Sequence, residues 1–339
     1  MSAPGLRLER RSRVELGDYP VDAAWSADER ALVVAGGQGA LLWLEVGAGV
    51  PRRLAEHPGG VLAVAWRTGS SQFVSSGQDG EVRLWDARSG AAKLIRSGSQ
   101  WSERLAYAGH GRLLAVATGR ELQVFNAEGA LPVQLPPQAG VIAALGWRPK
   151  TSELAALGNG GARIHRLEPD LQTRDFPLPG ACLTGSWSPD GRILASGMQD
   201  GSVHYWNVAA GTQSQMRGYG AKVALTSWSA NSRLLATAAD PQIIVWDFSG
   251  RGPEGSEPLQ LAAHTARLTQ LAFQPRGSLL AAGARDHRIT LWRLTQPQQP
   301  IDADLLSEEV ALLRWSPGGE QLAVADRAGV LSIYALRAA

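Results

Sequence analysis

Aromatic residues recur along this chain at a nearly constant interval, and that period restricts the fold more than any other feature. Trp25, Trp66, Tyr107, Trp147, Trp187, Trp228, Phe273 and Trp315 follow one another at 41, 41, 40, 40, 41, 45 and 42 residues. A second series keeps step: Trp43, Trp85, Phe125, Trp206, Trp246, Trp292 and Tyr334, with His165 taking the place in the fourth unit. Eleven of the twelve tryptophans fall on these two series. Such a period marks a repeat architecture, in which each unit buries its apolar face against its neighbours.

Each unit reads as strands. From Thr184 to Asn207, three short apolar runs are cut by Ser-Pro-Asp-Gly and Gln-Asp-Gly. Runs of four to seven residues between such clusters are strands joined by tight turns, here an antiparallel meander. The 39 glycines, 19 prolines and low charged fraction of 19% suit an all-β chain. A net charge of +2 implies no strong attraction to nucleic acid or membrane. One cysteine, Cys182, allows neither an intrachain disulfide nor a cysteine-based zinc cluster. The N-terminal stretch lacks the apolar core of a signal peptide, and no run is long enough to span a bilayer. A cytoplasmic protein is expected.

On these residues the chain resembles the WD40-repeat β-propellers, whose repeats run about 40–45 residues with four strands per blade. The dipeptide itself stands at Trp85-Asp86 and Trp246-Asp247, with weaker forms at Trp206-Asn207, Phe125-Asn126, Trp292-Arg293 and Tyr334-Ala335. The resemblance covers essentially the whole chain. It implies a single domain, 1–339, with blades near 18–56, 57–98, 99–138, 139–178, 179–219, 220–263, 264–306 and 307–339. Outer strands are expected at Arg52–Ala55, Ala92–Arg96, Leu131–Leu135, Gln172–Pro177, Gln213–Arg217, Pro258–Leu261 and Ile301–Leu305. That leaves one missing, and the N-terminal segment 6–16 is expected to complete the last blade and close the ring. Eight blades follow, with seven, the family's usual number, as the alternative. Ser249–Glu257 reads as one inserted loop.

The resemblance also implies a structural hydrogen-bond set in some blades: a His before the first strand, an Asp in the second turn, a hydroxyl and the indole. Unit two has His57, Ser75 or Ser76, Asp79 and Trp85. Unit seven has His264, Asp286 and Trp292, but Ala282 stands where the hydroxyl is expected. A His–Asp–Ser set also suits a hydrolase, but the spacing follows the repeat and no GxSxG elbow accompanies it. No HxH, HExxH or Walker loop is present, so neither metal nor cofactor is expected.

Candidate partner-binding residues come from the loops that the resemblance places on the top face. Trp101, the tryptophan outside both series, lies six residues before its aromatic. The equivalent positions are Tyr19, Gly60, Val141, Ala181, Lys222, Arg267 and Glu309. Arg120, Arg285, His287 and Arg327 lie in neighbouring second-turn loops, and Arg104 is on a first strand. Tyr, Trp and Arg are the side chains enriched at binding hot spots. The expected function is therefore a non-catalytic scaffold for a protein or peptide. The alternatives are an enzyme or small-ligand carrier using the central channel, where Asp22, Arg104, Thr184 and Gln270 are sparse, or weak nucleic-acid binding through a basic rim sector.

Overall fold

The computed structural model describes residues 6–47, 50–130, 132–250 and 252–338, apart from the side chains at positions 55 and 56. Leu131, Arg251, residues 1–5 and Ala339, which the expected strand, loop and domain limits include, lie outside the described residues. Thirty-one strands and no helix occur among the described residues, and the strands form eight antiparallel sheets. Blade two shows the plan: Val61–Trp66, Gln72–Gly77, Val82–Asp86 and Ala92–Arg96 run in order from the axis to the rim.

Eight apolar clusters hold the ring, and each joins two successive blades. Ala144, Leu157 and Ile164 of blade four pack with Trp187, Leu194 and Trp206 of blade five. Tyr205 faces the other way and packs with Trp228 and Trp246 of blade six. Alternate side chains of one strand thus serve opposite seams, as the two-residue period of a strand requires. The last cluster joins Leu312, Leu331 and Ile333 of blade eight to Trp25, Leu32 and Leu44 of blade one. The molecule is an eight-bladed β-propeller.

Closure comes from the N-terminal strand Leu6–Glu15, which pairs with Val330–Ala338 from Leu6↔Ala338 to Glu15↔Val330. Leu16 N–H then donates to Gly329 O at 2.8 Å. Tyr334 OH donates to Asp304 of blade seven at 2.8 Å and accepts from Arg10 Nε at 3.2 Å.

Two elements depart from the sequence reading. In blade four the second and third strands run on without a break over Glu153–Arg166, the first part pairing with Ile142–Trp147 and the second with Gln172–Ala181. The chain still crosses that blade four times. Leu167 N–H donates to Ser152 O at 3.2 Å, so the run folds back on itself. Gly161 allows this with φ of 115°, where a Cβ would lie 2.2 Å from Phe176 O.

The second departure is Trp43. Trp85 pairs with Phe73 and Trp206 with Leu194, but the residue in that place in blade one is Leu44, paired with Leu32. Trp43 is one residue out of register, opposite Val33. A slip of one flips a side chain to the other face of its sheet. Trp43 therefore belongs to the seam with blade two and not to the blade-packing series.

Candidate interaction face

The loops that lead into each blade, and the turns between its second and third strands, emerge on one face of the ring. A repeated backbone bond fixes the candidate positions there. The carbonyls of Tyr19, Gly60, Ala181, Arg267 and Glu309 accept from the N–H groups of Gly37, Gln78, Gln199, Arg285 and Arg327 at 2.9–3.0 Å. Each loop is thus tied to the turn beside it.

Tyr19 is 45% exposed, and behind it the buried Asp18 carboxylate accepts from the Gln38 and Ala40 N–H groups. Trp101 is 49% exposed and Val141 54%. Next to Trp101, the fully buried Ser102 hydroxyl bonds Thr118 Oγ1 at 2.9 Å and accepts from Arg96 at 3.1 Å, which anchors the loop. Arg120 and Lys222 are exposed, and Arg120 lines a hollow of about 370 Å³ with Gln100 and Pro137.

The arginines of blades seven and eight do not form a bare basic sector. Arg267 lies 3.4 Å from Asp240, while Arg285 and Arg327 lie 3.7 and 3.5 Å from the same Glu309 carboxylate. Between them is a cleft of about 260 Å³ lined by Tyr19, Val21, Thr269, Arg285, Glu309 and Arg327.

Arg104 stands apart from this ring of loops. It is on the innermost strand, Ser102–Tyr107, and its Nε donates to Ala143 O of blade four at 2.9 Å. Other polar groups along the channel are tied as well. Arg314 bridges Asp22 and Gln270 at 3.1 Å each, and Thr184 lies 3.4 Å from Thr226 Oγ1.

The hydrogen-bond sets are complete in two blades. Trp85 Nε1–H donates to Ser75 Oγ (2.8 Å), which lies 2.7 Å from His57 Nε2, and His57 Nδ1 lies 3.0 Å from Asp79. One order satisfies every group: indole to hydroxyl, hydroxyl to imidazole, imidazole to carboxylate. Ser75 and His57 are fully buried, so this hydroxyl meets no dissolved substrate. Burial holds the His57 pKa below the ordinary imidazole range, against the pull of Asp79.

In blade seven the missing hydroxyl is supplied from another strand. Thr290 Oγ1 accepts from Trp292 Nε1 at 3.0 Å and lies 2.9 Å from His264 Nε2, with Asp286 3.1 Å from Nδ1. Blade six uses Tyr219, whose hydroxyl accepts from Trp246 Nε1 and bonds Thr237, both at 2.6 Å. Tyr219 stands nine residues before Trp228, as His57 does before Trp66 and His264 before Phe273, so its signal was present in the spacing.

In blade four, His165 replaces the indole. It is fully buried, with Nδ1 3.0 Å from Thr173 Oγ1 and Nε2 without a partner. Burial pushes its pKa down to about 4. The unfolded chain, with an ordinary value near 6.5, then binds more protons between those two values. Stability is present above about pH 6.5 and falls as pH drops towards 4. At pH 4.5 the loss from this residue is about 2–3 kcal/mol. Urea melts of the wild type and His165→Phe at pH 7 and 4.5 test this, and the variant should show a shallower decline.

Among the described residues, no group of three or more His, Cys, Asp or Glu is placed to hold a metal ion, and no helix is long and apolar enough to cross a membrane.

An eight-bladed ring of meanders, stapled internally by His–hydroxyl–indole sets, defines a repeat propeller. The family described as "WD domain, G-beta repeat" matches residues 50–86, 181–207, 212–247 and 255–293. Over those four stretches the chain carries WD40 repeats, and it folds as a β-propeller. It is 26% identical over 286 residues to the B-type cell cycle switch protein ccs52B of Medicago truncatula, covering 80% of this chain and 57% of that one. It is 23% identical to "Cell division cycle 20.4, cofactor of APC complex" of Arabidopsis thaliana, covering 87% of this chain and 68% of that one. The chain spans little more than half the length of the first of these relatives. The crystal structure of the computationally designed Ika8 protein shares the fold, with a TM-score of 0.76, 17% identity and 98% and 99% of the two chains covered.

Proposed function

We propose that this protein is a non-catalytic scaffold that binds a protein or peptide across its loop-bearing face. The observation that carries this reading is the set of exposed aromatic side chains, Tyr19 and Trp101, on loops pinned to or anchored in rigid sheets. A fixed aromatic loses little conformational freedom on docking, which is what makes such a residue a strong anchor. Arg285 and Arg327 line a cleft with Tyr19, and Arg120 lines a hollow with Gln100 next to Trp101. Lys222 and Arg267 stand on other loops of the face, and the Glu309 carboxylate between Arg285 and Arg327 favours a partner of mixed charge over a polyanion. The relatives support the same role, since one is named a cofactor of a larger complex. A cytoplasmic setting is part of this reading.

Affinity capture from the source cell, comparing wild type with the Trp101→Ala, Arg267→Glu double variant, tests the proposal. Specific proteins should be retained by the wild type and lost by the variant. The thermal midpoint should stay within a few degrees, because surface substitutions of this kind cost about 0.5–1 kcal/mol. Equal retention by both proteins would overturn the assignment of this face.

A further inference from the structure

The seam between blades one and two differs from the others, and the difference lies on the face opposite the candidate loops. Five first-series tryptophans staple their blade to the one before. The Nε1–H groups of Trp25, Trp147, Trp187, Trp228 and Trp315 donate to the carbonyls of Arg314, Ala106, Gly146, Ser186 and Ala272 at 2.9–3.3 Å. Those five indoles are buried. Trp66 instead donates to Ser70 O of its own blade at 2.9 Å and is half-buried. Trp43, turned into this seam by its register, lies with its ring 5.7 Å from that of Trp66 and is half-buried too. Together they line an open groove of about 800 Å³.

The equivalent groove between blades five and six keeps a hollow of about 650 Å³, but there the chain itself places an aromatic on the seam. Phe248, directly after Trp246-Asp247, wedges edge-on against Tyr205 (5.0 Å) and Trp228 (4.7 Å). Tyr205 and Trp43 hold the same strand position, opposite Ala195 and Val33. Glu254 of the following loop accepts from Tyr205 OH at 3.3 Å. In blade two the residue after Trp85-Asp86 is Ala87, so two indoles are present and the wedge is not.

The geometry points to a second binding site here, one that takes an aromatic side chain from a linear acidic peptide of a partner protein. The aromatic would occupy the place that Phe248 fills four seams further round. The charge of the groove favours carboxylates beside it. Arg52 sits over the Trp43 ring at 6.0 Å, and neither Arg52 nor Arg88 has an ion pair among the described residues. Three arginines, Arg30, Arg52 and Arg88, stand in the lining against two carboxylates, Asp28 and Glu45, and Asp28 is already engaged by Ser26 Oγ and the Arg30 N–H. This site is independent of the loop-bearing face.

The test uses acetyl-Asp-Phe-Ser-Gly-Glu-amide, patterned on the chain's own wedge, and its Phe→Ala counterpart, titrated calorimetrically into the full chain. Saturable binding is expected, at least tenfold tighter for the Phe peptide, a difference of about 1.4 kcal/mol. Ala87→Phe, which supplies the wedge internally, should weaken binding tenfold or more, and Arg88→Glu should weaken it severalfold. The Trp101→Ala, Arg267→Glu variant should bind the peptide as the wild type does, so failure at one face is distinguishable from failure at the other. No saturation up to millimolar peptide, equal binding of the two peptides, or undiminished binding to both Ala87→Phe and Arg88→Glu would overturn the proposal. Should Ala87→Phe not fold, the peptide pair and Arg88→Glu decide it.

Discussion

Removal of residues 1–16 is expected to open the ring. The deletion takes away the outer strand of blade eight with its nine paired positions. It also removes Val14 and Leu16, both buried in the cluster that joins blades eight and one. Two such side chains contribute about 3–6 kcal/mol by burial alone. Each lost ladder bond adds about 0.5–1.5 kcal/mol. The sum matches the whole stability of an ordinary domain, about 5–15 kcal/mol. The truncated chain should be recovered largely aggregated, because Val330–Ala338 becomes an unpaired edge. A synthetic peptide of residues 6–16 added during refolding should restore soluble monomer. A truncated protein that is soluble, monomeric and melts within a few degrees of wild type would refute this account of closure.

Trp292→Ala should be the most damaging single substitution of those considered. The indole is fully buried between blades six and seven, and its Nε1–H is the donor that completes the Thr290–His264–Asp286 set. Truncating a buried tryptophan to alanine costs about 3–5 kcal/mol through lost contacts and the cavity left behind. Leaving Thr290 Oγ1 without its donor adds to that. Chemical denaturation should therefore show a fall of at least 3 kcal/mol. Trp292→Phe should recover most of the packing and none of the hydrogen bond, which separates the two contributions. A loss below about 1 kcal/mol for Trp292→Ala would mean that the seam tolerates a void of that size.

The architecture was legible because its signal is redundant. Eight copies of one spacing outvote any irregular unit, so blade three, with Tyr107 for Trp, and blade four, with His165, still took their places. The positions that misled are those where a single copy had to be judged. Trp43 and Leu44 are adjacent and both apolar, so nothing in Leu41–Leu44 told which faced blade eight; pairing with Leu32 decided it. Thr290 was passed over because the family pattern directs attention to the second strand, at Ala282. Hydroxyls on neighbouring strands reach the same imidazole, since Ala282 and Thr290 are directly paired. The acidic partner of the rim arginines was hidden for a related reason. Glu309 is 24 residues from Arg285 and 18 from Arg327 in sequence, yet lies within 4 Å of both.

The pairing of Leu6–Glu15 with Val330–Ala338 also sets a timetable for biosynthesis. At about 5–20 residues per second, the first strand waits roughly 15–60 s for its partner to be made. During that interval it must avoid the sheet edges of half-built blades and of neighbouring nascent chains. Its composition suits the wait. Four arginines and two glutamates stand among its ten residues, and charge on an unpaired strand discourages improper pairing. The same residues that latch the finished ring thus keep its loose end soluble until there is something to latch onto.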